Sequence, residues 1–337
     1  MTVRRPIWVS SSMVVSPGHA YGCGWGGARG NPFGPAGWPD PLECVQMIHG
    51  EGTGGIKRPA AISTACGRRS VLAGAAAWIA LRPGGARGGA PARDLEPEPG
   101  GRVRALGRDA SLILEDGRRV RLCALRLPDP ADLPEGATAA ETARVTAYAE
   151  AARAWLAARA VGASVALWSP EVARDRHGRG LAQVRVGGSD GPWLQAGLLA
   201  AGLARVATMP GAAAGAPALL SVEAAARRAG RGLWRDPLYR PRAPGATWPW
   251  LGTFQIVRGT VRDAAKVRGR IYLNYGDDWR RDFTVRIDRP SRIGFRVADL
   301  LELRRQFIQV RGWLFATNGP MILLDHPAAL ETRVTLG

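Results

Sequence analysis

The chain has 337 residues and a formal net charge of +18, enough length for two domains and a sizeable core. Residues 1–92 carry nine Lys or Arg and three Asp or Glu, so +12 remains on residues 93–337. That excess favours a polyanionic partner such as nucleic acid, or an anionic membrane surface. It also fits a bland compositional reading, since only Lys57 and Lys266 are lysine in a chain rich in Ala, Gly and Arg. Of the four cysteines, Cys23, Cys44, Cys66 and Cys123, only Cys123 would survive loss of an N-terminal leader, which excludes an internal disulfide in the remainder. Cys123 lies in an apolar strand and reads as a small buried hydrophobe.

Residues 1–65 show no helical or strand period and read as a disordered extension or as sequence upstream of the true start, with Met47 an alternative start. Residues 66–92 follow with Gly67-Arg68-Arg69-Ser70-Val71-Leu72, a short apolar run to Leu81, and Ala90-Pro91-Ala92. A basic pair, an apolar run and a small-residue site have the layout of an export signal, twin-arginine-like, and place the mature chain in the periplasm or outside the cell. A short buried helix is the competing reading. No segment has the roughly 20 apolar residues of a stable membrane span.

Residues 93–100 are charged and carry two prolines, the composition of a linker. Strands are then expected at Arg102–Leu106, Ser111–Leu114 and Val120–Leu125, the last two joined by the Glu115-Asp116-Gly117 turn, a hairpin signal. Thr138–Ala160 has helical spacing in Val145, Tyr148, Ala152, Trp155 and Leu156, with Gly162 as a stop. Strands Ser164–Trp168 and Leu181–Val186 flank the turn Asp175–Gly180. Helices follow at Trp193–Val206 and Leu219–Gly230. Five strands with three helices over residues 101–236 predict a small β-barrel of the oligonucleotide/oligosaccharide-binding type, the OB-fold. Residues 237–250, rich in proline, aromatics and arginine, read as an interdomain linker. Residues 251–337 carry five more short strands, at Phe254–Val257, Arg270–Asn274, Asp282–Ile287, Phe307–Phe315 and Pro320–Leu324, which predict a second small OB-like barrel.

Two arginines delivered from separate strands, Arg121 and Arg179, can make a fork-shaped receptor for phosphate, because a guanidinium presents paired donors to two oxygens. Either could instead be a surface arginine paired with a carboxylate. The second unit mixes Tyr272, Tyr275, Trp279, Phe283, Trp313 and Phe315 with Arg268, Arg270, Arg280, Arg281 and Arg311. Such a mixture can form a stacking platform for single strands, while the alternative assigns most of these aromatics to the core. His177 and His326 have no metal-spaced partners and read as structural.

Four pieces, taken together in this order, resemble the staphylococcal nuclease (thermonuclease) family. They are Val120-Arg121-Leu122 with Pro128-Asp129, Asp175-Arg-His-Gly-Arg179-Gly-Leu-Ala182, Gly202-Leu-Ala-Arg-Val206 and Gly232-Leu-Trp234. The resemblance covers residues 101–234 and implies a five-stranded barrel with three helices. It also implies cleavage of DNA and RNA phosphodiesters with calcium, a carboxylate base and two arginines. Carried over residue by residue, the phosphate-gripping arginines fall on Arg121 and Arg179 and the base on Asp129, where the family has glutamate. One family calcium ligand falls on Arg126, whose fixed charge would repel the ion. The other falls on Ala110, with Asp109 one residue away, and a single-residue slip turns a strand side chain to the opposite face unless a bulge restores it. Asn274–Phe283 resembles a loop of an accessory barrel found beside some bacterial thermonuclease-like domains.

Three functional readings follow. The first is an exported protein that interacts with single-stranded DNA or RNA, keeping its phosphate-binding arginines but with cleavage weak or absent. The second is an active metal-dependent phosphodiesterase with a rebuilt metal site, which requires carboxylates within about 2.5 Å of a common point. The third is an envelope protein-interaction module, in which Arg121 and Arg179 would be tied up in internal salt bridges.

Overall fold

The computed structural model describes residues 95–332; the expectations for residues 1–65 and 66–92, and for the first two residues of the 93–100 stretch, lie outside them. The chain forms β1 (Glu96–Leu106), β2 (Leu112–Leu114), β3 (Arg119–Leu122) and β4 (Leu125–Arg126). Helix α1 (Ala139–Ala160), β5 (Ser164–Ser169), β6 (Gly180–Val186), α2 (Leu194–Ala200), β7 (Arg205–Val206) and α3 (Ala216–Arg228) complete the first half. Strands β1, β2, β3, β6 and β5 close into a barrel in that order, with β3 and β6 parallel and the other pairs antiparallel. The five-stranded barrel with three helices is the expected fold. Its interior is aliphatic, with Val103, Leu112, Leu114, Leu156, Val184 and Leu198 wholly buried.

Local chemistry sets the boundaries. Thr138 caps α1 in a reciprocal box: its Oγ1 accepts from Glu141 N at 3.2 Å, and its own N donates to Glu141 Oε2 at 2.8 Å. Strand β1 begins at Glu96, inside the stretch expected to be a linker. Pro99 falls where the register with β5 shifts, between Glu98 and Gly101, and Pro97, opposite Trp168, lies outside the part of β1 that pairs with β2. The helix expected over Trp193–Val206 ends at Ala200 instead. Gly202 turns the chain at φ +69, and Arg205–Val206 then pairs with Leu125–Arg126. A Cβ on Gly202 would stand 2.1 Å from Arg231 O, and one on Gly232 2.2 Å from Gly202 O. Only glycine allows these two backbones to approach so closely at positive φ.

Residues 237–250 do not form a free tether. They wind through short 3-10 turns, Tyr239 is buried, and Arg242 N donates to Ile256 O at 2.8 Å. The second half contains β8 (Phe254–Thr260), β9 (Asp263–Val267), β10 (Arg270–Asn274), β11 (Thr284–Asp288), α4 (Val297–Leu301), β12 (Phe307–Ala316), β13 (Pro320–Leu323) and β14 (Leu330–Glu331). They make one curled half-barrel sheet in the order β14-β12-β13-β11-β10-β9, with β8 also on β12. Strands β9 and β14 escape a sequence reading. The first lacks burial alternation and the second has two residues.

All described residues fall in one compact unit, and β12 shows how its halves join. Ile308, Val310 and Leu314 enter the sheet's own core. Residues of the other parity, Gln309, Arg311 and Trp313, lie on the opposite face by strand periodicity. From that face Arg311 Nη1 donates to Val206 O at 2.8 Å, and Nη2 to Glu223 Oε2 at 2.9 Å. Arg311 and Glu223 are each 1% exposed. Beside this pair, Ile256 of β8 packs into one apolar cluster with Val145, Ala226, Leu233, Trp234 and Tyr239. His326 adds a polar contact, its Nε2 2.6 Å from Thr208 Oγ1.

Candidate functional site

A cavity of about 770 Å³ opens at the barrel mouth. Its lining includes Asp109, Arg121, Arg126, Asp129, Asp175, Arg179 and Trp313. The three residues carried over from the resemblance therefore reach one space, together with the candidate Asp109.

Arg121 comes from the middle of β3, between inward-facing Val120 and Leu122. Its side chain is 41% exposed, and its nearest carboxylate oxygen, Asp175 Oδ2, is 3.9 Å away. Among the described residues, that long contact is its one ion pair. Burial first, and then the neighbouring Arg179 charge, lower its pKa. The charged form is thus left under-compensated, and an anion entering the cavity would restore the balance.

Arg179 is held differently. The turn before β6 closes through Asp175 N to Arg179 O at 3.0 Å and Gly178 N to Asp175 O at 2.9 Å, with Gly178 at φ +74. Asp175 Oδ1 accepts from His177 N and Arg179 N, and Oδ2 from Arg179 Nε at 2.7 Å. A second carboxylate, Asp109, also pairs with Arg179 Nη1. Burial opposes the charge of Arg179, but the bonds to Asp175 and Asp109 outweigh it and raise the pKa. Both carboxyls move the opposite way. Partial burial would raise them, yet hydrogen bonds from Ser111 and Arg179 hold Asp109 far below the usual range, and those from Arg179 and His177 lower Asp175.

Asp109 reaches this face from the hairpin loop 107–111 between β1 and β2, and not through a bulge in a paired strand. Between Leu106 and Leu112, which pair across β1 and β2, Ala110 adopts φ +57. Gly107 N donates to Ser111 O at 2.8 Å, and Asp109 Oδ1 accepts from Ser111 Oγ at 2.6 Å. From α1, Arg153 Nη1 donates to Arg108 O at 2.8 Å and braces the loop. Because 107–111 is a loop, strand alternation does not fix the face of Asp109, and its side chain lines the cavity.

Asp129 has a local task. It is the N-cap of the 3-10 turn Pro130–Asp132, and its Oδ1 accepts from Ala131 N at 2.8 Å. The last residue of that turn, Asp132, is 4% exposed and pairs with Arg126 Nε at 2.5 Å and with Arg205 Nη2 at 2.7 Å. Arg126 is 18% exposed, and no hydrogen bond from its two terminal nitrogens exists among the described residues. Its guanidinium carbon lies 4.7 Å from the ring centroid of Trp313, contributed by β12.

Calcium takes six to eight oxygen ligands, and these residues do not fit it. Each carboxylate lining the cavity already accepts from a protein donor, and Arg126 stands at one implied ligand position. Among the described residues, no group of three or more His, Cys, Asp or Glu is placed to hold a metal. Sequence reasoning missed Asp132, Arg205 and the approach of Trp313, because each depends on contacts distant in the chain.

A closed five-stranded barrel with arginines gathered at its mouth defines an OB-type domain. Residues 119–236 match the family model described as staphylococcal nuclease homologue. Over those residues the domain is similar to the staphylococcal nuclease family. The match begins at Arg119, so the loop that delivers Asp109 lies before it, and the whole curled sheet lies beyond it. No curated protein matches the chain.

Proposed function

We propose that this protein binds single-stranded DNA or RNA by seating a backbone phosphate in the cavity at the barrel mouth. Arg121 is the principal donor, Arg126 a fixed cation beside it and Arg179 a braced wall. One observation carries the reading: three guanidiniums converge on a cavity whose carboxylates are all already engaged by the protein. Calcium-assisted cleavage with Asp129 as base has less support, since Asp129 caps a turn and Arg126 displaces a ligand. The basic, leader-like stretch 66–92 supports export to the periplasm or beyond. A mature chain beginning near Arg93, read by mass spectrometry, would agree with it, and an intact Met1 in the cytoplasm would sink it.

A specific observation favours the protein-interaction module as second reading. Arg179 is tied to Asp175 and Asp109, as an internal brace would be. Arg121, with no hydrogen bond from its guanidinium among the described residues, divides the pair and favours the phosphate.

The test is fluorescence anisotropy and gel cleavage of a labelled single-stranded DNA and RNA, in calcium, magnesium, manganese or chelator. Binding is expected to survive the chelator and to weaken as salt rises. Replacing Arg121 by Ala should lower the log-log salt slope by about 0.7, the contribution of one phosphate on a single strand. Metal-dependent cutting that vanishes in that variant would overturn the non-cleaving reading. Absence of any binding would leave the protein-interaction reading.

A further inference from the structure

Trp313 of β12 is half exposed. Its relative exposure is 49%, although Leu314 next to it in the strand is buried. It also lines the same cavity as Arg121, Arg126 and Arg179, and does so from outside the segment that matches the nuclease family. The alternation of β12 puts it there. Arg311, two residues earlier on the same face, is bonded into α3 by Glu223, which fixes the strand against the barrel.

The ring is held in a definite orientation. Phe254 meets it edge-on at 6.3 Å with an interplanar angle of 77°, and the Arg126 guanidinium lies 4.7 Å from its centroid. Arg126 is itself anchored through Nε by buried Asp132. Met209, 40% exposed, adds a second apolar group to the cavity wall. One wall of the cavity is thus cationic and another is aromatic and apolar. Phosphate alone has no use for the second wall. A nucleotide, with an anionic phosphate joined to a flat apolar base, matches both.

We propose that Trp313, with Arg126 beside it, is the base-stacking subsite of this cavity, so that the curled sheet completes a nucleotide-binding site the nuclease-family barrel does not form alone. The subsite rests on the phosphate-binding reading above. Its occupant is one unpaired base adjacent to the phosphate held by Arg121. Stacking on an indole reads no hydrogen-bond pattern, so the subsite tolerates any base. It discriminates against duplex, whose bases are covered by their neighbours.

The experiment compares three oligonucleotides of equal length by anisotropy with the full chain: single-stranded, fully abasic and duplex. Trp313→Ala should weaken binding of the single strand about 5- to 150-fold, the range measured when one stacking aromatic is removed. The same variant should weaken binding of the abasic strand much less, while Arg121→Ala weakens both. Trp313→Phe should recover most of the loss, which a purely structural defect of the Ala variant would not predict, and matched thermal unfolding checks the fold. Equal loss on base-bearing and abasic strands, or no loss on either, would overturn the stacking subsite and leave the phosphate reading intact. Failure of the wild type to bind either strand would overturn both.

Discussion

Replacing Arg311 by Met tests whether the two halves of this protein form one cooperative body. The guanidinium donates to Val206 O, both Glu223 oxygens and Glu331, with Arg311 and Glu223 each 1% exposed and Glu331 21%. Removing the cation leaves Glu223 buried with one donor, Val206 N at 2.6 Å, while Glu331 can turn to water. Breaking a buried pair from one side costs about 3 to 5 kcal/mol. Urea unfolding of Arg311→Met should show a loss in that range and a separation of one transition into two, the second sheet unfolding first. Replacing Glu223 by Leu in the Arg311→Met background should recover much of the loss, because both charges then leave together. A loss below about 1 kcal/mol with a single unchanged transition would refute the idea that this pair locks the sheet to the barrel.

Substituting Gly202 by Ala should destabilise the barrel by at least about 1 to 3 kcal/mol in denaturant titration, from the left-handed backbone strain alone; the approach to Arg231 O adds to this. Cys123 is buried and its thiol is pushed up to about 12, so peptide mapping after iodoacetamide treatment should find it unmodified until denaturant is added. Asp109 and Asp175 have folded-state pKa values below their ordinary 3.8. Their contribution to stability is therefore complete above that value and lost as pH falls below it. A stability profile measured in acid should decline from about pH 4 downward, and Asp109→Asn should flatten the decline.

The architecture of the first half was legible because its punctuation is chemical. Asp175 and Gly178 can build only a few kinds of turn, Asp116-Gly117 marks a hairpin and Gly162 a helix stop, whereas Gly202, which turns the chain after α2, was hidden inside an expected helix. The site was legible only where a side chain's role is set by its own strand, as with Arg121 between Val120 and Leu122. The place of Asp109 was not set by strand alternation, because it lies in the loop joining β1 to β2, where Ala110 adopts φ +57. Asp132 was invisible as a partner of Arg126 and Arg205, since the pairing joins a 3-10 turn to two strands that meet only after folding. The split of the two arginines was hidden for the same reason: Asp109 is seventy residues from Arg179.

Arg126 stands where the nuclease resemblance implies a calcium ligand, and its side chain is held by contacts that reach the second sheet. An aspartate at that position would add negative charge to a cavity already holding Asp109, Asp129 and Asp175, and would need a cation to face. An arginine there needs a carboxylate behind it and a surface for its flat guanidinium. Asp132 provides the first at 2.5 Å, and Trp313 of the second sheet provides the second at 4.7 Å. Arg205 closes the arrangement by pairing with the other oxygen of Asp132 and donating to Phe254 O at 3.0 Å, so the surroundings of Arg126 are wired directly into the second sheet. Introducing aspartate by Arg126→Asp should therefore not create a calcium site. It would leave Asp132 beside a new carboxylate and remove the cation beside Trp313. Calorimetry should detect no calcium binding in this variant, and urea unfolding should show it less stable than wild type; calcium binding with unchanged stability would refute this account.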